Sequence, residues 1–250
     1  MKNNINVPRS RRQNYPTAPR LDELCSGCSK QQQCVLPLAS NSLRVEIKSY
    51  RPGHYVMLHG EPRTSVPIVC RGLTMLSRLT EVGDEVALQC CGVGDFLGLI
   101  DWLEGEETYS SSGRAVMETI VVFVRPEDLV SEIQSNPRSL TSLFRQIGSQ
   151  VGTLQRRVGL QAVQDASSRV IHLLLDLVQQ LVLLDEKDVT LPVKLSPTII
   201  ADMAGLRRET VSRVMAHLQK RRLILQSNRF ITIPCLDRLR KASRATADSP

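Results

Sequence analysis

SPTIIADMAGLRRETVSRVMAHLQKRR, residues 196–222, decides how the rest of the chain is read. Ser196 offers a side-chain oxygen to cap a helix, and Pro197 suits the first helical turn, where no N–H is needed. Ile199, Ile200 and Met203 supply an apolar face, Ala204-Gly205-Leu206 makes a short turn, and a second helix follows. Two helices joined by a short turn containing glycine are the layout of a helix-turn-helix. On a wheel of roughly 100° per residue with Arg208 at zero, Arg208, Glu209, Ser212 and Arg213 fall at roughly 0°, 100°, 40° and 140°. Val211, Val214, Met215 and Leu218 fall at roughly 300°, 240°, 340° and 280°. Any surface helix is amphipathic in this way, so the chemistry of the polar arc matters more. It offers a guanidinium fork that matches guanine, a carboxylate that accepts from cytosine, and a hydroxyl for phosphate or base. These residues stand near the helix N-terminus, where recognition helices touch bases.

The next stretch, LILQSNRFITIP at residues 223–234, reads as a small hairpin, which makes the unit a winged helix-turn-helix. Lys220, Arg221, Arg222 and Arg229 flank it and can hold phosphates. Charge agrees. Residues 194–250 carry 12 Lys/Arg against four Asp/Glu, and residues 1–20 carry five Lys/Arg and no acid. Residues 21–193 carry 15 Lys/Arg against 21 acids, so the basic ends flank an acidic middle. A basic unit suits a polyanion, because phosphate neutralisation supplies most sequence-independent affinity. The expected partner is double-stranded DNA.

Upstream, Phe144, Ile147, Val151, Leu154 and Val158 recur at spacings of three and four. A stripe this narrow is of the coiled-coil kind and suits one partner helix. The expectation is a dimer seam; the alternative is packing on the chain's own β-domain. Gly148, Gly152 and Gly159 each weaken the isolated helix by about 1 kcal/mol relative to Ala. Arg156 and Arg157 lie in the seam region, where two such helices would bring like charges together. A further helix is expected from about Ala166 to Leu184, followed by a strand-like VTLPVKL at residues 189–195.

Eight of the 14 glycines lie between Gly53 and Gly105, and between them run short apolar segments: VPIVC, LTMLSRLT, EVALQCC and, further on, METIVVFV. Gly83-Asp84 stands between two of these runs as a hairpin turn would. Many short strands with frequent turns indicate a β-sandwich or barrel-like roll. The fold class expected is therefore α+β: an N-terminal β-roll, a long dimerisation helix and a C-terminal winged helix-turn-helix. The divisions expected are an N-terminal extension at 1–44, the roll at 45–137, the dimerisation helix at 138–165, the winged unit at 166–240 and a flexible tail at 241–250.

With 250 residues and 42% hydrophobic content, the chain can bury real cores. It holds no apolar run long enough to span a membrane, and its basic, polar start is no secretory signal. A reducing cytoplasm is the expected setting, where clustered thiols more often bind metal than pair as disulfides. Such a cluster lies in LDELCSGCSKQQQCVLP, residues 21–37, with Cys25, Cys28 and Cys34 spaced C-x2-C-x5-C. No Ser/His/Asp arrangement, phosphate loop or paired acid site stands out, and an enzyme is not expected.

The order of roll, long helix and winged helix-turn-helix, with GLRRETVSRVMAHLQKRRLI at 205–224 and GVGDFLGLIDWLEGE at 92–106, resembles the CRP/FNR superfamily of bacterial transcription regulators. The resemblance spans roughly residues 45–235 and implies a cyclic-nucleotide-binding-like roll, a homodimer, a two-fold symmetric DNA site and RNA polymerase as a protein partner. Cyclic-nucleotide members carry Glu just after the Gly of G-D-F-x-G and an Arg-Ser pair downstream. Here the matching positions are Leu99 and Tyr109-Ser110. A phosphate buried without a cation is badly compensated, so no cyclic nucleotide is expected.

The FNR branch instead carries C-x2-C-x5-C in its N-terminal extension, and those thiolates hold an oxygen-labile 4Fe–4S cluster. Cys25, Cys28 and Cys34 match it, as does Glu209-x-x-Ser212-Arg213 in the recognition helix. Cysteine ligation of iron–sulfur clusters is chemically well founded. The resemblance implies oxygen or redox control of DNA binding and TTGAT-like half-sites. Two departures stand out. Phe123 occupies the position of the branch's fourth cysteine, leaving Cys90 and Cys91 as the best thiol candidates, with Cys70, His54 and His59 behind them. Arg208 stands where the branch has a small or apolar residue, which bears on the outer bases of the half-site. The alternative sensors are thiol oxidation, zinc or another small ligand.

Overall fold

A computed structural model of the chain describes residues 20–28, 30–31, 34–38, 43–80, 85–163, 165–181 and 188–245. Two short helical pieces come first, α1 (Leu21–Cys25) and α2 (Val35–Leu38). Strands β1 (Val45–Tyr50), β2 (Tyr55–Met57), β3 (Val66–Arg71), β4 (Thr74–Leu79) and β5 (Glu85–Cys91) follow. After α3 (Leu99–Leu103) come β6 (Ser112–Ala115) and β7 (Thr119–Val124). The strands form two antiparallel sheets, ordered β1-β7-β3 and β2-β6-β4-β5. β4 and β5 pair as the glycine pattern suggests, while Gly83 and Asp84 lie outside the described residues.

One face of the three-stranded sheet and the interior of the roll bury different residues, as strand alternation requires. Val66, Ile68, Val122 and Val124 face a core shared with Cys34, Val35, Leu36, Phe96, Leu99, Leu129 and Leu143. Val69 faces the other way, into a roll interior filled by Met57, Leu76, Cys91, Leu97 and Tyr109.

Helix α4 (Pro126–Ser135) was not foreseen in the sequence, although Pro126 at its first turn with Glu127 and Asp128 behind it is a recognisable helix start. Helix α5 runs unbroken from Pro137 to Val163, so its three glycines do not interrupt it. Leu140, Phe144, Val151, Leu154 and Val158 are exposed along it, Phe144 by 64% and Val158 by 68%. Ile147 departs from the expected stripe: it packs beside Leu143 on the chain's own roll core. Arg156 is exposed and donates to Thr153 Oγ1 at 3.0 Å, while the side chain of Arg157 lies outside the described set.

Helix α6 (Ala166–Leu181) then leads to β8 (Val189–Thr190), α7 (Pro197–Ala204), α8 (Arg208–Lys220), β9 (Leu225–Ser227), β10 (Phe230–Ile233) and α9 (Leu236–Ala245). β8, β10 and β9 form a small sheet in that order. Val170, Ile171, Leu174 and Val178 of α6 join Val211, Leu218, Ile231 and Leu239 in one core, which also takes in Leu73 and Met75 of the roll. The stretch expected to be a tail from residue 241 is helical as far as Ala245. Leu239 and Ala242, three apart on one helical face, are both buried in that core and carry the helix onward.

Candidate nucleic-acid interface and sensor site

The helix-turn-helix is set by three local devices. Ser196 Oγ accepts from Ile199 N at 3.2 Å and caps α7. Gly205 ends α7 with φ +61°, a left-handed conformation that glycine adopts without a Cβ penalty. Arg169, on α6, donates to the carbonyls of Ala204 at 2.6 Å and Gly205 at 2.7 Å. It fixes the turn between the two helices and satisfies acceptors that a helix C-terminus leaves open. Arg169→Ala is expected to cost about 1.5–3 kcal/mol, the range for hydrogen bonds made by a charged donor. A lowered urea midpoint measures it. No local motif marks Arg169, which lies 35 residues from its partner Ala204.

On α8, Val211, Val214, Met215 and Leu218 are buried, while Arg207, Arg208, Glu209, Ser212 and Arg213 are exposed. The apolar and polar arcs derived from the sequence therefore face core and solvent respectively. Ser212 Oγ donates back to Arg208 O at 3.0 Å, leaving its lone pairs toward solvent. Arg229 stands at the tip of a two-residue turn, Asn228 φ +48° and Arg229 φ +67°, of the kind that suits tight hairpins. Lys220, Arg221, Arg222 and Arg229 are all exposed, giving a cationic flank beside the polar arc.

The thiols lie at the other end of the chain. Cys25 closes α1, Cys28 follows in a turn donating its N–H to Cys25 O at 3.2 Å, and Cys34 donates to Lys30 O at 2.9 Å just before α2. Cys34 is buried, and Cys25 packs against the same core. That core has a further thiol on its edge, Cys70 of β3. Burial pushes the Cys34 thiol up to about 12, with the neighbouring Cys25 and Cys28 adding to the rise. Burial likewise raises Cys70, and the proximity of Cys34, Cys25 and Cys28 adds to the rise. Four sulfur atoms thus share one electrostatic neighbourhood, and soft thiolate donors of this kind suit iron–sulfur clusters or zinc. Among the described residues, no three His, Cys, Asp or Glu side chains already surround a common point as metal ligands would.

Cys90 and Cys91, the best fourth thiols by sequence, lie elsewhere. Both are on β5, in the four-stranded sheet, opposite Met75 and Thr74. Cys91 is buried in the roll interior and accepts from Gln89 Nε2 at 3.4 Å. Cys90 packs against the core of the winged unit, and its carbonyl accepts from Gln180 Nε2 at 3.2 Å. His54 and His59 are exposed beside β2, in the same distant sheet. Phe123 sits under Lys48 at 4.8 Å and beside Tyr50 at 6.4 Å, while its neighbours Val122 and Val124 face the core.

The cysteine segment touches the roll at a second place. A Cβ added to Gly94 would come within 3.5 Å of Gln146 Nε2 and 3.6 Å of Lys30 Cβ. Gln146 Nε2 donates to Gly94 O at 2.7 Å, and Gln150 Nε2 donates to Phe96 O at 3.0 Å. Two buried glutamines of α5 are therefore bonded to the turn on which Lys30 rests. A polar pocket beside them is lined by Lys30, Asp95, Gln150, Arg156, Asp176 and Gln180. Asp95 is pushed up to about 6 by burial, which the N–H of Gly92 and the charge of Lys30 oppose.

The two positions that decide cyclic-nucleotide chemistry are taken up by packing. Leu99 is buried in the three-stranded-sheet core. Tyr109 is buried in the roll interior, where its hydroxyl donates to Ser65 O at 2.9 Å. Its ring lies against Gly98, whose φ is +65° and where an added Cβ would fall 2.9 Å from Tyr109 Cδ1.

A roll, a long helix with an exposed apolar stripe and a winged helix-turn-helix together define a class of DNA-reading regulator. Residues 47–136 match the cyclic nucleotide-binding domain family and residues 168–242 match the Crp-like helix-turn-helix domain family. The two domains in this order place the chain in the CRP/FNR family of DNA-binding transcription regulators. Among curated relatives, the global nitrogen regulator of Synechococcus elongatus is 23% identical, over 78% of this chain and 89% of the relative. The cAMP-activated global transcriptional regulator CRP of Salmonella typhimurium is 26% identical, over 73% of this chain and 87% of the relative. Among solved structures, FixK2 from Bradyrhizobium japonicum has the same fold, with TM-score 0.69 and 22% identity over 83% of this chain and 99% of that one. No helix among the described residues is long and apolar enough to cross a membrane.

Proposed function

We propose that the chain is a homodimeric transcription regulator whose DNA binding is governed by an oxygen- or redox-labile 4Fe–4S cluster held by Cys25, Cys28 and Cys34. The observation that carries the reading is the seating of Cys25 and Cys34 against the core beneath β3 and β7, on a segment that also rests on Gly94. When bound, the cluster supplies a redox-labile centre that ties the extension to the roll. The chain's own residues do the rest. Lys30 packs on the Gly94 turn, Gln146 and Gln150 hold that turn to α5, and α5 carries Leu140, Phe144, Val151, Leu154 and Val158 for a partner helix. Coupling then takes the form of a population shift between dimer geometries that present the two α8 helices differently. Arg208, Glu209, Ser212 and Arg213 read bases, and Lys220, Arg221, Arg222 and Arg229 hold phosphates. Half-sites are TTGAT-like, with the outer bases set by Arg208, and RNA polymerase is the protein partner. The burial of Leu99 and Tyr109 where a sugar carboxylate and a phosphate cation would be needed favours a sensor other than a cyclic nucleotide.

Zinc on the same thiols is the second reading, favoured by the all-sulfur donor set. Protein purified without oxygen is expected to absorb in the visible, to carry iron and acid-labile sulfide in equal amounts, and to lose both absorbance and DNA affinity in air. Zinc in place of iron, or a colourless protein that binds DNA equally in both atmospheres, overturns the cluster.

A further inference from the structure

The extension brings three thiols, and the family position for a fourth holds Phe123. We infer that Cys70, on the strand next to that position, is the fourth thiolate, so that Cys25, Cys28, Cys34 and Cys70 form the ligand set. The inference rests on the cluster proposed above.

Three features of β3 place Cys70 there. The first is face: Val66, Ile68 and Cys70 alternate along β3, and all three belong to the core that contains Cys34 and takes in Cys25. Val69 between them faces the roll interior. The second is register. Val69 pairs with Val121 and Arg71 with Ile120, so Cys70 falls at a break in the β3–β7 ladder. A bulge of this kind leaves one residue unpaired and re-aims its side chain, which is why bulges recur beside functional sites. The third is the second anchor of the extension. Val69 N donates to Asp95 O at 3.0 Å and Gly94 N donates to Val69 O at 2.8 Å, on the turn against which Lys30 packs. Lys30 lies between Cys28 and Cys34, so the extension is held at the end of β3 where Cys70 lies.

β3 and β7 are neighbours, with Pro67 opposite Phe123 and Ile68 opposite Val122. Phe123 itself faces away from the core that holds Cys34, toward Lys48 and Tyr50, whereas Cys70 lies on the core face of the adjoining strand. Cys90 and Cys91 do not have this property, being in the other sheet.

The test compares full-length Cys70→Ser, Cys70→Ala and the double variant Cys90→Ser/Cys91→Ser with the parent chain, all purified without oxygen. Visible absorbance and iron and sulfide per chain are read for each, with urea melts of the metal-free forms as folding controls. Alkylation by iodoacetamide before and after air exposure, read by mass spectrometry, reports the state of each thiol directly. Both Cys70 variants are expected to lose about tenfold or more of their iron and sulfide, the scale seen when a metal site's shell is damaged, while the double variant keeps its iron. Cys70 in the parent chain is expected to become alkylated only after air exposure, together with Cys25, Cys28 and Cys34. Full iron and sulfide in either Cys70 variant, or loss confined to the double variant, overturns the assignment while leaving the cluster itself standing. A parent chain without iron defeats the cluster, and the assignment with it. If a Cys70 variant melts earlier than the metal-free parent, the alkylation pattern of the parent decides: Cys70 alkylated at the same rate before and after air overturns the assignment.

Discussion

A chain carrying Val151→Glu and Leu154→Glu is expected to run as a monomer and to bind a two-fold symmetric site about 10²–10⁴-fold more weakly than the parent, because the second half-site contact ceases to be intramolecular. Both side chains are exposed on α5, in line with Phe144 and Val158. Neither contributes to the cores within the chain, so the substitutions spare folding. In a dimer each would be buried against a partner helix, where an apolar side chain contributes about 1.5–3 kcal/mol and an unpaired carboxylate is far worse. Light scattering gives the mass and fluorescence anisotropy gives the affinity. A variant that stays dimeric, with unchanged affinity, assigns the stripe to another role. Ile147 serves as the internal contrast: it packs on the roll core, so Ile147→Ala is a stability change first.

The second large effect lies in the polar arc of α8. Arg208→Ala and Arg213→Ala are each expected to weaken specific binding by about 1–3 kcal/mol, the range for a bidentate arginine–guanine pair, or about 5- to 150-fold. Their signatures differ from those of the wing. Loss of a base contact relaxes preference at one position of the half-site, so Arg208→Ala is expected to broaden selection at the outer base. Loss of a phosphate contact lowers affinity on every sequence, and Arg229→Ala is expected to reduce the salt slope by about one. Binding titrations over a salt series, with half-sites varied one base at a time, separate the two. Uniform losses on all sequences for Arg208→Ala would make it a phosphate contact instead.

The winged unit was legible because its signals are local. Ser196, Pro197, Gly205 and the two arcs of α8 each act within a few residues of where they stand, and all appear in the structure as read. The roll was legible as a class, from its glycines and short apolar runs, while its two sheets were not. Which strands are neighbours depends on long-range pairing that no short window contains. That is why Cys90 and Cys91 ranked ahead of Cys70 as thiol donors: all three sit in short apolar runs, and only the pairing of β3 with β7 and of β5 with β4 separates them. Arg169, Gln146 and Gln150 were missed for a related reason. Each is a polar residue on a helix whose partner is a backbone carbonyl 35 or more residues away in sequence, at Ala204, Gly94 and Phe96.

The break in register at Cys70 bears on how such a sensor would recover. A side chain at a bulge is outside the regular exchange of hydrogen bonds between strands. If it gains or gives up a bond to iron, β3 and β7 keep their alignment on either side, from Val66 opposite Val124 to Arg71 opposite Ile120. The roll then has no need to refold when its cargo is lost. The emptied chain is expected to remain a competent acceptor for a new cluster, which makes air exposure an interruption in its working life more than the end of it.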